Sequence, residues 1–331
     1  MRGRMLILSG DDVQSVLTMK DAIDVVEEAF KQFALGNVEM PVRASIALEQ
    51  YKGLMLTMPA YIGGKLNALG QKVVTVYPEN IERHKLPTIL ATVQLFDPET
   101  GDCLALMDGT FLTAIRTGAA SGIATKYLAK SNSTCVALFG AGGQAEKQLE
   151  AVSKVRGINL AKVFDPVTQR ASEYCERMSR KLGIDVKVGI SPQETLRDAD
   201  IIICASTSRT PVFSGDWLQP GMHINGIGSH TLDTRELDTT TVRRSKVVVD
   251  SRDAALKEAG DLLIPIAENA ISSDHIWAEL GDIILGTKKG RTSDQEITLF
   301  KSVGIALQDM STAQLAYRRA LEQGKGTVVK L

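Results

Sequence analysis

Three basic residues lie in stretches where solvated charge is unusual. Arg43 follows Met40-Pro41-Val42 at the start of a strand-like run, and Lys72 is embedded in the apolar run Leu69–Tyr77. Arg116 sits in mid-helix among small residues, in Thr113-Ala114-Ile115-Arg116-Thr117-Gly118-Ala119-Ala120. A guanidinium on an Ala/Gly face needs an anionic partner, because charge withdrawn from water is stable only when paired and hydrogen-bonded. From the residues alone that partner is either an anionic ligand or one of the 39 acidic residues of the chain. A second group of residues has a different chemistry. Cys135-Val136-Ala137-Leu138-Phe139 is an apolar strand that breaks into Gly140-Ala141-Gly142-Gly143-Gln144-Ala145 and then becomes helical. A strand, a glycine turn and a helix N-terminus together cradle a pyrophosphate on unpaired N–H groups and the positive end of the helix dipole. About twenty residues on, the strand Ala161–Phe164 ends in Asp165, where an acid hydrogen-bonds a ribose hydroxyl. That order predicts a dinucleotide site.

Two further strand ends carry small polar residues. Asp200–Cys204 opens onto Ala205-Ser206-Thr207-Ser208, and Met222-His223-Ile224-Asn225-Gly226-Ile227 leads into Gly228-Ser229-His230. In a dinucleotide-binding sheet such ends face the ligand; otherwise they are polar strand termini. The four histidines and four cysteines have no metal-ligand spacing and no C-x-x-C, so no metal is expected and the thiols read as reduced and mostly buried.

Positioning these groups requires a chain of two textures. Length and the 44% hydrophobic content fit one large or two medium globular domains, and a net charge of −1 gives no electrostatic case for nucleic acid or an anionic membrane. No apolar run approaches the about 20 residues that span a bilayer. The basic start, Met1–Arg4, is followed by too short an apolar stretch for an export signal, which predicts a first strand and a cytoplasmic protein. Thr18-Met19-Lys20-Asp21 reads as a capping box with Asp in place of Glu. Ala22, Val26, Ala29, Phe30 and Phe33 then mark a one-faced helix ending at Gly36-Asn37. Strand-like runs follow at 44–48, 54–58, 72–77, 88–96 and 103–107, with a hairpin at Asp97–Gly101, predicting an antiparallel sheet. After a long helix over 109–130, strands and helices alternate: strands at 134–139, 161–164, 185–189, 200–204, 222–227 and 246–249, with helices over 144–155 and 168–181. That alternation predicts an α/β fold with a doubly wound parallel sheet. A helix over 305–322 and a short tail close the chain. The expected division is 1–115 plus 305–331 against an inserted dinucleotide domain of 116–304.

Taken together, Arg116–Gly122 (RTGAASG), Gly140–Ala145 (GAGGQA), His223–Ser229 (HINGIGS), Arg235–Asp238 (RELD) and Asp294–Gly304 (DQEITLFKSVG) resemble the ornithine cyclodeaminase/μ-crystallin family over nearly the whole chain. The resemblance implies a homodimer with a Rossmann domain inserted into a substrate and dimerisation domain. It implies that Arg43, Lys72 and Arg116 clamp a substrate carboxylate, with Lys72 near the reacting carbon and Asp309 facing the same pocket. It further implies that Thr88, Gly143, Gln144, Asp165, Thr207, Asn225, Ile227 and Ser302 touch the cofactor, beside Gly140 and Gly142 of the glycine turn. Asp165 favours NAD(H), while Arg170 leaves NADP(H) open. One departure separates members of the family. Where the cyclodeaminases carry an Asp that handles protons at the substrate amine, this chain has His230. The residue is read either as a proton relay, with an unperturbed pKa of about 6.5, or as a solvated turn residue. The expectation is therefore NAD(P)H-dependent reduction of a cyclic imino acid, Δ1-pyrroline-2-carboxylate to L-proline. Alanine dehydrogenase acting on the keto acid pyruvate comes next, then ornithine cyclodeaminase, then a non-catalytic dinucleotide and ligand binder.

Overall fold

The structure, a computed structural model, describes residues 3–330. Met1, Arg2 and Leu331, read above as part of the first domain, lie outside the described residues. The chain divides into two compact units, one running to Arg116 and resuming at Ile305, the other spanning Thr117–Gly304. The strands in chain order are β1 (Arg4–Leu8), β2 (Val38–Glu39), β3 (Ala44–Leu48), β4 (Gly53–Ile62), β5 (Ala68–Val76), β6 (Ile89–Phe96) and β7 (Cys103–Asp108). Next come β8 (Cys135–Phe139), β9 (Leu160–Phe164), β10 (Asp185–Val188), β11 (Ile201–Cys204), β12 (His223–Gly226), β13 (Ser245–Val249), β14 (Ile276–Glu279) and β15 (Ile297–Lys301). The last is β16 (Thr327–Lys330).

In the first unit the strands run β16-β1-β7-β6-β5-β4-β2, with β3 also on β4. The successive pairs from β3 through β7 are antiparallel, as the short turns predicted, and the 97–101 hairpin is closed by Gly101 N–H donating to Asp97 O at 2.8 Å. The expected C-terminal tail is instead β16, antiparallel to β1. Its exposed residues carry no alternating burial signal, and only pairing makes it a strand.

Helix Met19–Ala34 begins at the expected capping box, with Asp21 accepting the Thr18 N–H at 3.2 Å. Ala22, Val26, Ala29 and Phe30 are fully buried along one face. Arg319, on the returning helix Ala306–Gln323, donates to both Asp21 oxygens at 2.5 and 2.7 Å. These bonds from Arg319 outweigh partial burial and hold the Asp21 carboxyl down at about 2, below its ordinary value of 3.8. Asp21→Asn is expected to cost about 1–3 kcal/mol of stability, since it loses charge-assisted bonds and half a cap. Because the folded pKa is depressed, this contribution is complete above about pH 4 and fades as pH falls through about 2. An acid-unfolding titration in which wild type and Asp21→Asn differ equally at pH 6 and pH 2 would contradict it.

The second unit is a single all-parallel sheet, ordered β10-β9-β8-β11-β12-β15-β13-β14. All five residues of β8 are buried; Val136 and Leu138 enter one core, Ala137 and Phe139 the opposite one. Burial on both faces explains why β8 reads as a continuous apolar run rather than an alternation. The α/β doubly wound fold expected from the sequence is thus present. Two strands were missed: β14 and β15, the latter inserted between β12 and β13. Ile297–Lys301 is short and flanked by charge, so its periodicity is silent, yet every residue in it is buried. From β8 the order passes to β9 on one side and β11 on the other, so a topological switch point lies between β8 and β11, where open α/β sheets bind ligands beyond the strand carboxyl ends.

Candidate active site

The first unit concentrates positive charge in its interior. Lys72 belongs to the buried face of β5, with Ala68, Gly70 and Val74. Helix Ala306–Gln323 packs on that face so closely that a Cβ on Gly70 would stand 2.9 Å from Met310 Sδ. Asp309 lies in the first turn of this helix, where the dipole favours a carboxylate. Lys72 Nζ and Arg116 Nε both donate to Asp309 Oδ1, each at 2.9 Å, and Arg116 Nη1 donates to Gln308 Oε1 at 2.6 Å. Lys72 is 1% exposed, Arg116 5% and Asp309 0%. Asp309 Oδ2 and Gln308 Nε2 are buried without a hydrogen-bond partner.

Two buried cations thus share one oxygen of one carboxylate. The intrachain ion pair that the sequence left open exists, but it neutralises only one of the two charges. Burial, then Arg116, pull the Lys72 ammonium down to about 8 against the opposing pull of Asp309, and Arg43 lowers it further. Arg43, half-buried just before β3, is therefore near enough for its charge to act on Lys72. The cluster carries an excess positive charge, which an anion with oxygens for Arg116 and Lys72 to bond would stabilise.

In the second unit the predicted residues collect at the carboxyl ends of the parallel strands. Gly140, Gly142, Gly143 and Gln144 follow β8, Asp165 follows β9, Thr207 follows β11, and Ile227 follows β12. Gly140 has φ +95°, and a Cβ there would stand 2.7 Å from Ala205 O, so only glycine fits. Gly142 and Gly143 have nothing within 4 Å of an added Cβ, so the turn is open above its backbone and leads into helix Ala145–Val155. An open backbone cradle at a helix N-terminus, beside an acid at the next strand end, fits a dinucleotide pyrophosphate and ribose. Gly140→Ala is expected to weaken dinucleotide binding at least about tenfold through backbone strain of a few kcal/mol. Titration of nicotinamide dinucleotide by fluorescence would detect it, and unchanged affinity would remove the cradle.

Other predicted residues have structural partners. Asp165 Oδ2 accepts the Ala141 N–H at 2.9 Å and Oδ1 accepts the Val167 N–H at 2.9 Å, so the acid also braces the glycine turn. Arg170 Nη1 is 3.5 Å from both of its oxygens. Asn225, inside β12, is buried and donates to Thr125 Oγ1 at 2.9 Å, leaving its Oδ1 without a partner. Ser302 Oγ donates to buried Asp250 at 2.7 Å. Thr88 immediately precedes β6 rather than opening it, and its carbonyl accepts the Tyr77 N–H. His230 is exposed, with Nδ1 3.1 Å from Gly228 O. Sequence reasoning missed Gln308, which neighbours a predicted residue, and the buried charges Glu236, Asp261 and Lys301. Glu236 and Lys301 stand in the motifs RELD and DQEITLFKSVG, and Lys301 closes the largely apolar run Ile297–Phe300, which are the signals that could have found them; Asp261 has none.

Comparison with known proteins identifies the family of the chain. The model of the ornithine cyclodeaminase/mu-crystallin family matches residues 4–324. A Δ1-pyrroline-2-carboxylate reductase of Bacillus cereus is 40% identical over 327 residues, 98% of this chain and 100% of that protein. The structure of the Thermococcus litoralis Δ1-pyrroline-2-carboxylate reductase, in complex with NADH and L-proline, superposes with a TM-score of 0.96 at 49% identity, covering 98% of this chain and 100% of the other. An archaeal alanine dehydrogenase dimer with bound NAD gives 0.93 at 37% identity over 99% of both chains. The chain belongs to the ornithine cyclodeaminase/mu-crystallin family.

Proposed function

We propose that this protein is an NADH-dependent reductase of Δ1-pyrroline-2-carboxylate, forming L-proline. The observation that carries the reading is the buried excess charge of Lys72 and Arg116 on a single oxygen of Asp309. A small imino acid brings the missing carboxylate. The similarity to the Bacillus and Thermococcus reductases over nearly their whole length supports the choice of substrate.

In this mechanism Arg116, with N–H groups beyond the two used on Asp309 and Gln308, binds the substrate carboxylate together with Lys72 and Arg43. Gly140, Gly142, Gly143 and Gln144 hold the pyrophosphate, Asp165 a ribose, and Thr88, Thr207, Asn225, Ile227 and Ser302 surround the rest of the dinucleotide. When bound, NADH supplies the hydride that adds to the C=N carbon. Reduction also consumes one proton at the ring nitrogen. Lys72, with a pKa of about 8 and hydrogen-bonded to Asp309, can hold or deliver that proton at Nζ. His230 is the alternative relay. Fixing the carboxylate turns the encounter of imine carbon and nicotinamide into an oriented, effectively unimolecular event.

Asp165 selects NADH by repelling a 2′-phosphate, and Arg170 beside it moderates that repulsion, making NADPH the weaker alternative. The second reading, alanine dehydrogenase, rests on the same cluster and on similarity to the archaeal dimer. Ornithine turnover ranks lower because His230 replaces the acid that would meet a second ammonium.

The active species is a homodimer. All five β3 residues are exposed, including Ile46 and Leu48, and Tyr51, Ile81, Leu86 and Ile89 are exposed nearby. Register ties Leu48 to Gly53, Leu54 to Val76 and Val76 to Ile89, so much of this apolar surface lies at one end of the sheet, where a second copy would cover it. The four free cysteines suit a cytoplasmic enzyme. No helix among the described residues is long and apolar enough to cross a membrane.

The test measures NADH oxidation with Δ1-pyrroline-2-carboxylate, with pyruvate plus ammonia, and with ornithine. The expected order is imino acid first and keto acid second. Ornithine turnover without added reductant would overturn it.

A further inference from the structure

A second buried charge network ties together three strand ends of the parallel sheet, and none of its members belongs to the proposed chemistry. Glu236 is fully buried in the segment after β12. Its Oε1 accepts the Ser206 N–H at 2.6 Å and the Ser206 Oγ–H at 2.7 Å, and its Oε2 accepts the Gly228 N–H at 2.6 Å. Ser206 follows β11 and Gly228 follows β12, so one carboxylate spans both loops. The loops touch: a Cβ on Gly228 would lie 2.2 Å from Ser206 O and 2.5 Å from the Glu236 carboxyl. Glu236 itself is fixed. Its N–H donates to Asp261 Oδ1 at 2.7 Å, and its carbonyl accepts the Val212 N–H at 2.8 Å. Asp261 Oδ2 pairs with Lys301 Nζ at 2.7 Å, and Lys301 donates to Ser229 O at 2.6 Å, bringing in the end of β15.

We propose that Glu236 is a positioning residue, a carboxylate clasp that sets Thr207 and Ile227 at the spacing a bound nicotinamide dinucleotide requires. The inference rests on the cofactor reading above. Thr207 and Ile227 adjoin the clasped residues Ser206 and Gly228, and strand-end backbone at a switch point is where such a ligand meets the sheet. Both carboxylate oxygens accept from backbone N–H groups, so the clasp needs the ionised, acceptor-only form. Burial and then Asp261 push the Glu236 carboxyl up to about 7, with Lys301 and Ser206 opposing. The other titratable groups facing it are Asp261, Lys301 and the buried thiol of Cys204, and His230 lies on the Gly228 loop. Protonation puts a hydrogen on a carboxyl whose surroundings are mostly donors. The clasp therefore loosens as pH falls through about 7 and closes above it.

The experiment is NADH titration from pH 6 to pH 8.5 on wild type, Glu236→Gln and His230→Gln, with circular dichroism to check folding. In wild type the Kd is expected to rise about three- to tenfold from pH 8.5 to pH 6, a partial loss of charge-assisted bonds. Glu236→Gln places an amide donor against the N–H of Ser206 or Gly228 whichever way it is turned. It is expected to bind NADH about tenfold or more weakly at pH 8.5, with no pH step. His230→Gln should keep the step. A flat wild-type profile, or the wild-type step surviving in Glu236→Gln, overturns the clasp; loss of the step in His230→Gln does so by moving the titration to the imidazole. If Glu236→Gln fails to fold, the wild-type and His230→Gln profiles still decide. Failure of wild type to bind NADH at any pH overturns the cofactor reading, and the clasp with it.

Discussion

Arg116→Ala is expected to reduce kcat/KM for the imino acid by about 10²- to 10⁴-fold, the loss that follows removal of one partner from a buried, hydrogen-bonded charge set. The change takes away the donors left for the substrate carboxylate and one of the two cations on Asp309. Lys72 then pairs with Asp309 alone, and the buried Lys72–Asp309 pair no longer carries an excess positive charge. NADH affinity should stay within about twofold, because the side-chain hydrogen bonds of Arg116 go to Asp309 and Gln308, neither of which is proposed to hold the dinucleotide. Arg116→Lys should recover only part of the activity, since an ammonium keeps the charge without the planar fork. Retained turnover in Arg116→Ala would remove the carboxylate clamp. It would also reopen the reading in which the protein binds a dinucleotide without catalysis.

Asp309→Asn should have an equally large effect through a different property. Its carboxylate is the sole acid bonded to Lys72 and Arg116 among the described residues, and all three side chains are buried. Removing its charge leaves two cations with no counterion and is expected to cost about 3–5 kcal/mol of stability. The same change removes both influences that Asp309 exerts to raise Lys72, its charge and its hydrogen bond. The lysine pKa should therefore fall below its present value of about 8. If Lys72 acts as a cation, wild-type kcat/KM declines as pH rises through about 8, and Asp309→Asn shifts that limb to lower pH. Thermal melting and a pH–rate profile measure the two consequences separately. A limb that stays in place would show that Lys72 is not the titrating group.

Much of this arrangement was legible in the chain because buried parallel strands and glycine turns leave continuous local signals. Val136–Gly143 gives the strand and the open turn directly, and Thr18–Asp21 gives the cap to the residue. The resemblance placed Arg43, Lys72, Arg116 and Asp309 in one pocket, whereas the residues alone left the partners of the cations open. Asp309 stands 193 positions from Arg116 and 237 from Lys72, and no local pattern encodes a pair at that separation. Glu236, Asp261 and Lys301 pair over shorter but still non-local separations, 25 positions between Glu236 and Asp261, and their burial shows only once the sheet closes around them. β15 and β16 escaped for related reasons. The first is short with charged flanks, and the second is exposed and exists only by pairing with β1. Long-range pairing decides these features, and periodicity does not report it.

In the proposed function, an excess of buried positive charge on Lys72 and Arg116 receives the carboxylate of a small planar imino acid. A crystal structure of the protein with NADH and pyrrole-2-carboxylate, a flat mimic of the imine, decides the point. The carboxylate is expected to bond to Arg116 and Lys72, with Arg43 alongside and the ring against the nicotinamide. A carboxylate bound elsewhere, with Lys72 and Arg116 still closed on Asp309 alone, would contradict it.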